Sequence, residues 1–396
     1  MPEPTSSATA AKAAGAMASA GRDTAAAADA AHALRCNPHV AALPAYNAGM
    51  AIAVARRIAG RDDIARLASN ENADGCSPKV MQALASDAFE PWRYADPAAT
   101  ALREALARKL GVDAGEIVVG NGSEEMIAAA ARAFIEPGNS ALTVVPSFGL
   151  HEIEPLAAGA TVVKLPMTPA LGFDVEAIAR ELTTQPRLLL LSTPWNPVGP
   201  ALDEAQLRKL VAALQPGTLF VLDEAYFEYA DPGNPDGIAL LRAAGVPHVV
   251  LRSFSKAYGL AGLRVGYAVC SDARVARLLA AAKTPFNVNA AAQIAALAAL
   301  GDEAWMRASV ARTRAERERV AAGLVELGLQ VASSQTNFVF FETSQDSAEL
   351  AGALLLDGII VKGWREPGYE RWVRATIGHA ADNDRLLAAL GRLLRA

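Results

Sequence analysis

The amino-acid sequence predicts an α/β protein with a mostly parallel sheet covered by helices on both faces, followed by a smaller α+β domain. From about residue 100 onward, short apolar β-branched runs alternate with amphipathic helical stretches, a pattern typical of parallel strands joined by helical crossovers. The runs are apolar throughout, so both faces of the strands should be buried. After residue 283 the pattern changes to helix-forming sequence with two strand-like runs, which indicates a second domain.

Seven apolar runs are predicted to form the strands of the large sheet. They are residues 117–119, 142–145, 161–165, 188–191, 219–222, 248–251 and 265–269. The helices between them are predicted near capping or acidic residues, at 98–110, 124–134, 175–182 and 204–214. In the second domain we expect a long helix over 290–327, with the charged run 312–319 as a solvent-exposed face. Strands over 337–342 and 359–362 and a helix over 382–394 complete it.

The chain length of 396 residues is sufficient for two domains, because single hydrophobic cores stop growing at roughly 250–300 residues. Residues 1–34 are Ala-rich and mixed with small polar residues, which favours a flexible tail; a processed targeting segment is the alternative. We expect an N-terminal arm over 35–68 that packs with the small domain. The large domain then spans 69–283 and the small domain 284–396.

Charge and composition favour small-molecule partners. The net charge of −5 is mild and no run of Lys and Arg could follow a nucleic-acid backbone. The longest apolar runs are far shorter than the roughly 20 residues of a membrane span. Cys36, Cys76 and Cys270 are far apart and lack CxxC spacing, so neither disulfides nor a zinc site is predicted. A reducing compartment, the cytoplasm, and no bound metal are therefore expected.

The candidate chemistry lies just after the predicted strands, where ligands bind in open α/β sheets. Polar, aromatic and glycine residues follow most of these strands, at 120–125, 146–148, 193–197, 223–226 and 253–256. Lys256 is the most informative, because a lysine at a buried strand end is unfavourable unless it is paired, deprotonated or covalently used. The sequence thus predicts a ligand site with a reactive lysine.

The requirements of pyridoxal phosphate account for this set of residues. The cofactor needs a lysine for a Schiff base with its aldehyde and a carboxylate that keeps its pyridine nitrogen protonated, for which Lys256 and Asp223 are the candidates. Its phenolic oxygen and its phosphate need donors and a helix N-terminus. These are offered by Asn196, Tyr226, Ser253, Ser255, Arg264 and Ser123. For Ser123 alone, an ordinary helix cap is an equally good interpretation.

Seven short motifs occur in a fixed order along the chain. They are 67–72 (LASNEN), 93–97 (RYADP), 223–226 (DEAY), 253–266 (SFSK through GLRVG), 286–289 (FNVN), 336–338 (TNF) and 374–378 (RATIG). In this order they resemble the motifs of fold-type I pyridoxal-phosphate aminotransferases and, among these, of the histidinol-phosphate aminotransferases. The similarity runs from about Leu43 to the C-terminus.

The resemblance implies a role for each matching residue. Lys256 would hold the cofactor and move the proton, Asp223 would bind the pyridine nitrogen, and Phe148 would stack on the ring. Asn196 and Tyr226 would bind the phenolic oxygen. The phosphate would be held by Gly122, Ser123, Glu124, Ser253, Ser255 and Arg264, and by Tyr94 from the other subunit of a homodimer. Arg374 would anchor the acidic group of the substrate, and Tyr46, Asn72, Lys362 and Arg385 would line the substrate side.

The implied reaction is transamination between L-histidinol phosphate and 2-oxoglutarate, a step of histidine biosynthesis. The chain departs from the family pattern on the substrate side, with Lys362 in place of an arginine, Ala95 in place of a proline, and unusual residues at 73–76, 198 and 364–372. Lysine keeps a charge without a bidentate fork. An aromatic-amino-acid aminotransferase and a phospho-amino-acid decarboxylase on the same fold are therefore the alternatives.

Two other classes explain the sequence less well. A binding module that has lost catalysis would have lost Lys256 or Asp223, and both are present. A dinucleotide oxidoreductase would need GxGxxG spacing, which residues 259–262 lack.

Overall fold

The computed structural model describes residues 35–45, 49–86 and 89–394. The predicted tail 1–34 and the candidate substrate residue Tyr46 lie outside these residues. Of the described residues, 35–44 belong to a unit of their own. Its described part contains one short helix, α1 (Pro38–Ala41), whose start is capped where the Asn37 side chain accepts the His39 backbone N–H at 3.0 Å.

Residues from 45 onward form the second unit. Its strands are β1 (Ala65–Arg66), β2 (Ile117–Gly120), β3 (Ser140–Val145), β4 (Thr161–Pro166), β5 (Leu188–Ser192), β6 (Leu219–Asp223), β7 (His248–Ser253), β8 (Gly266–Cys270), β9 (Gln330–Val331), β10 (Phe338–Glu342), β11 (Ile359–Ile360), β12 (Lys362–Gly363) and β13 (Trp372–Thr376). Its helices are α2 (Ile52–Ala59), α3 (Pro78–Leu84), α4 (Thr100–Leu110), α5 (Ser123–Phe134), α6 (Leu150–Ala157), α7 (Val175–Glu181), α8 (Glu204–Ala213), α9 (Gly237–Ala244), α10 (Ala273–Ala282), α11 (Ala290–Leu300), α12 (Glu303–Glu326), α13 (Ser347–Leu356) and α14 (Ala380–Leu393).

The large sheet has seven strands in the order β2-β8-β7-β6-β5-β3-β4, which confirms the predicted α/β class. The strands from β7 to β4 are parallel, while β8 runs antiparallel to both β7 and β2. Each strand lies where an apolar run predicts it. The parallel arrangement brings the carboxyl ends of β5, β6 and β7 to one edge of the sheet.

Both faces of the large sheet are covered, as the continuous apolar runs predict. Alternate residues of a strand belong to two different cores, so that in β6 Phe220 packs into one core and Val221 into the other. The edge strand β4 is the exception, because its residues are exposed or half-buried. Its run of apolar residues predicted full burial, which is wrong for this edge strand, whereas the opposite edge strand β2 is fully buried.

A smaller sheet of four strands, in the order β12-β13-β10-β9, forms around a third core. The predicted strand over 359–362 is two short strands instead. β11 pairs with β1 in parallel, and β12 pairs antiparallel with β13. The chain therefore changes partner at Val361, and residues 65–66 are tied to the C-terminal part of the chain.

The predicted long helix over 290–327 is wrong, since it is broken into α11 and α12 at Gly301 and Asp302. Asp302 leaves helical geometry and accepts the Ser77 hydroxyl at 2.5 Å. The charged run within α12 is also not one solvent-exposed face. Arg317 is buried and donates to the Thr336 carbonyl at 3.0 Å, and Arg314 donates to the Tyr229 carbonyl at 3.1 Å.

The remaining predicted helices begin and end within two residues of their predicted bounds. The domain boundaries at 34, 68 and 283 stay predictions. Within the described residues, no helix has the length and apolar character to cross a membrane.

Candidate active site

A cavity of about 610 Å³ opens at the carboxyl ends of β5, β6 and β7. It is also bordered by the start of α5 and by one end of the smaller sheet. Most of the residues that the sequence singles out lie on its wall. These are Ser123, Glu124, Phe148, Asn196, Asp223, Tyr226, Ser253, Ser255, Lys256, Arg264, Lys362 and Arg374.

Lys256 follows the end of β7, and its amine reaches into the cavity. The Nζ atom donates to the Ser69 carbonyl at 3.4 Å and lies 5.7 Å from the centre of the Tyr226 ring. Burial, and then the positive charges of Arg374 and Arg264, lower the pKa of the Lys256 amine to about 8. Much more of the amine is therefore neutral and nucleophilic near pH 7 than in an ordinary lysine.

Asp223 is the last residue of β6 and is nearly buried. One carboxylate oxygen accepts the Ala225 backbone N–H at 3.0 Å, and the other lies 3.6 Å from Nε2 of His151. His151 is fully buried at the start of α6 and lies between the rings of Phe148 and Trp195. Sequence reasoning missed His151, although its place one turn after Phe148 was a usable signal.

The turn before α5 forms a cradle for an anion. Gly122 precedes the helix with φ of 79°, and the first backbone N–H groups of α5 have no partner within the helix. A Cβ on Gly122 would lie 2.6 Å from Nη2 of Arg264. The same guanidinium lies 3.5 Å from the Ser255 hydroxyl and 3.2 Å from the Glu124 carboxylate. Hydroxyl, guanidinium and helix N-terminus thus converge, which suits a phosphate group.

The substitution Gly122→Ala tests this cradle. It should raise the dissociation constant of pyridoxal phosphate by about 10- to 100-fold, because Arg264 must move and a charge-assisted hydrogen bond is worth about 1.5–3 kcal/mol. The matched control is Gly217→Ala, where φ is 91° and no atom lies within 4 Å of the added Cβ. Both variants should lose about 1–2 kcal/mol of stability from backbone strain. Fluorescence titration of the two cofactor-free proteins measures the affinity, and equal affinities would contradict the cradle.

Arg374 lies on the smaller sheet, opposite Lys362 of β12 in the strand register. Its guanidinium donates to the Asn196 side-chain oxygen at 2.5 Å and to the Ala68 carbonyl at 2.7 Å. Burial, together with the charge of Arg374, lowers the pKa of Lys362 to about 8. Two cations thus share one wall of the cavity.

Asn70 is a second residue that sequence reasoning missed, although it stands within the LASNEN motif. Its side-chain amide donates to the Tyr226 hydroxyl at 2.8 Å, and its backbone N–H donates to the Thr376 hydroxyl at 2.9 Å. Asn70 is buried and has φ of 55°, a conformation that asparagine tolerates better than most residues. It therefore connects the end of β6 to the smaller sheet.

Among the described residues, four predicted site residues do not line this cavity: Gly122, which directly precedes the lining residue Ser123, and Asn72, Arg385 and Tyr94. Asn72 donates to the Ala257 carbonyl at 3.0 Å, which is a structural contact near Lys256. Arg385 donates to the Asp63 carbonyl at 3.0 Å and so connects α14 to the loop before β1. Tyr94 is 85% exposed, and its ring packs 4.7 Å from that of Phe286.

The described residues contain the full set of groups that pyridoxal phosphate requires. A lysine with a lowered pKa, a buried carboxylate and an anion cradle surround one cavity. Within the described ranges, no group of three or more His, Cys, Asp and Glu residues could hold a metal ion. The fold and the site together define a fold-type I pyridoxal-phosphate-dependent enzyme.

The sequence model of the family "Aminotransferase class I and II" matches residues 62–390, and the chain belongs to this family. It is 42% identical over 347 residues to histidinol-phosphate aminotransferase 3 of Rhizobium meliloti (strain 1021), covering 87% of this chain and 94% of the relative. It is 41% identical to histidinol-phosphate aminotransferase 1 of Mesorhizobium japonicum, covering 88% and 95%. The crystal structure of histidinol-phosphate aminotransferase from Sinorhizobium meliloti in complex with pyridoxal-5'-phosphate is similar with a TM-score of 0.84, at 29% identity, covering 91% and 98%.

Proposed function

We propose that this enzyme transfers the amino group of L-histidinol phosphate to 2-oxoglutarate, with pyridoxal phosphate as cofactor, in histidine biosynthesis. The observation that carries the proposal is the pair of cations, Arg374 and Lys362, on the wall of the cavity that holds Lys256. Both proposed substrates are anionic, one through a phosphate and the other through carboxylates. The names of the two curated relatives support the same substrate.

The residues of the large domain would hold the cofactor. Lys256 would bind its aldehyde carbon, Asp223 would keep a proton on its pyridine nitrogen, and the cradle at Gly122 would bind its phosphate. Pyridoxal phosphate supplies an electron sink that makes a proton labile on the carbon bearing the amino group of the substrate. Lys256 takes up and returns that proton, which its lowered pKa favours near neutral pH.

Arg374 would anchor the anion of each substrate in turn. Its guanidinium can bind a carboxylate or a phosphate through two parallel N–H groups, and the Asn196 and Ala68 oxygens already orient it. Lys362 adds a charge without such a fork, so it would strengthen phosphate binding with less geometric selectivity.

We further propose that the active form is a cytoplasmic homodimer in which Tyr94 completes the phosphate site of the partner. The supporting observation is that Trp92 and Tyr94 are 74% and 85% exposed, while Tyr94 lies off the cavity of its own chain. Large aromatic side chains in such positions favour burial in an interface. The three cysteines, none of them in a disulfide, fit a reducing compartment.

Steady-state kinetics with three compounds test the substrate. With 2-oxoglutarate as acceptor, kcat/KM for L-histidinol phosphate should exceed that for phenylalanine by about tenfold or more, because the aromatic donor lacks the phosphate that the two cations bind. Threonine phosphate should release no carbon dioxide. A preference for phenylalanine would favour the aromatic aminotransferase, and carbon dioxide release would favour the decarboxylase. The proposal would be contradicted if either of these results were obtained and the enzyme did not turn over L-histidinol phosphate.

A further inference from the structure

The segment after β12 forms part of the cavity wall with a sequence that departs from the family pattern. Trp364 lies on the wall and is otherwise buried, with 8% of its surface exposed. Its backbone N–H donates to the Trp372 carbonyl at 2.8 Å, and its carbonyl accepts the Ser347 hydroxyl at 2.9 Å. Its ring packs edge-on against Phe340 at 6.0 Å. Trp364 is therefore held in one place.

Glu366 fixes the indole of Trp364 from the other side. One of its carboxylate oxygens accepts the indole N–H at 2.6 Å. The same oxygen accepts the backbone N–H of Ser147 at 3.0 Å. Ser147 precedes Phe148, which also lines the cavity. A single carboxylate thus connects a substrate-side tryptophan to the loop that carries the predicted cofactor-stacking ring.

The two cations of the site lie beside this indole. Nζ of Lys362 is 5.5 Å from the centre of the Trp364 ring, and Cζ of Arg374 is 5.8 Å from it. A ligand whose anion pairs with these cations must place its neighbouring atoms close to the indole. A planar ring at that point gains an aromatic contact that an alkyl chain does not.

We propose that Trp364, positioned by Glu366, is a specificity-determining wall that selects ligands carrying a planar ring together with an anionic group. This inference deepens the proposed function. It rests on that function for the reaction, whereas the binding preference can be measured without the reaction. It assigns a class of substrate side chain, with L-histidinol phosphate as one member. Trp364 contacts the ligand, whereas Glu366 acts through Trp364 and is a positioning residue.

Two carboxylates without an amino group test the wall apart from catalysis. Calorimetric titration of the cofactor-loaded enzyme with 3-phenylpropanoate and with hexanoate compares a planar ring with a straight chain of similar length and equal charge. The wild type should bind the ring compound about 3- to 10-fold more tightly. In Trp364→Leu the ratio of the two dissociation constants should fall below about twofold, since the aromatic contact is lost.

Matched variants distinguish a direct effect of Trp364 on the ring preference from a general effect of lost packing. Trp372→Leu removes a tryptophan that stacks on the same Phe340 at 4.9 Å but does not line the cavity, so it should keep the ring preference. Glu366→Ala should weaken the preference, because the indole loses its acceptor, whereas Glu366→Gln keeps an oxygen there and should restore it. If Trp364→Leu does not fold, the two Glu366 variants carry the test.

The outcomes distinguish this inference from the proposed function. A ring preference that disappears in Trp364→Leu supports the wall even if L-histidinol phosphate is not turned over. Equal affinities for both carboxylates in the wild type, or a ring preference that survives in Trp364→Leu and Glu366→Ala, would overturn it. In amino transfer, Trp364→Leu should raise KM for ring-bearing donors more than it lowers kcat, because the lysine and the carboxylate of the site are unchanged.

Discussion

Lys256→Ala is expected to reduce amino transfer from L-histidinol phosphate to 2-oxoglutarate by about 10⁴-fold or more. The variant loses both the amine that would hold the cofactor and the group that moves the proton, and a positioned acid–base group alone contributes about 10²- to 10⁴-fold. Steady-state rates measure the loss, and the visible absorbance of the cofactor-loaded protein should change in parallel. Lys209→Ala is the matched control, because Lys209 is an exposed lysine of α8 paired with Glu176.

A fold defect would not explain this loss. Since the pKa of Lys256 in the folded, cofactor-free chain is lowered to about 8 from 10.5, folding disfavours its protonated form. The unfolded chain then binds more protons between these two values, so the stability of the wild type rises with pH across that window. Lys256→Ala should lack this rise and be at least as stable as the wild type at pH 7. Activity within tenfold of the wild type would refute the role of Lys256.

The second large effect is expected for Asp223→Asn, which should lower kcat by about 10²- to 10³-fold. Loss of one preorganised electrostatic group in an active site has an effect of this size. Asparagine keeps the shape and can still accept the Ala225 N–H, so the fold should be preserved. What changes is the charge, without which a pyridine nitrogen is not held protonated. The measurement is kcat together with the absorbance of the bound cofactor.

The absorbance separates the two variants. Asp223→Asn retains Lys256, so it should still show the cofactor bound to the lysine while turning over slowly. Asp272→Asn is the control, since Asp272 is an exposed cap of α10 where asparagine caps as well as aspartate does. An Asp223→Asn enzyme with unchanged kcat would show that the carboxylate does not tune the cofactor.

The local pattern of the chain was sufficient to predict the large sheet. Each of its seven strands lies at a predicted apolar run, because burial on both faces demands continuous apolar residues. The failures have causes that lie outside the local sequence. β4 lies at an edge and is half-exposed, and the predicted helix over 290–327 breaks where Asp302 accepts a hydrogen bond from the distant Ser77. A hydrogen bond between residues so far apart in sequence cannot be recognised from local hydrophobic periodicity.

The candidate site was predictable to the extent that its residues stand at strand ends. Asp223 ends β6 and Lys256 follows the neighbouring strand β7, and the topology of parallel strands brings their side chains to one edge. His151 and Asn70 were missed, because they belong to the site only through contacts between distant parts of the chain. His151 contacts Asp223, and Asn70 contacts Tyr226. Arg385 was placed on the substrate side by resemblance, yet its guanidinium is engaged with the Asp63 carbonyl.

By itself, the sequence determined the fold class and the cofactor chemistry, because each depends on residue types at positions that periodicity can locate. Only the tertiary structure decided which side chains share the substrate side of the cavity. Arg374, Lys362 and Trp364 line that side. Behind them, Glu366 accepts the Trp364 indole N–H and the backbone N–H of Ser147, which comes from the other half of the chain. Recognition of a substrate depends on such distances, and distances between residues far apart in sequence are set by packing rather than by any local pattern.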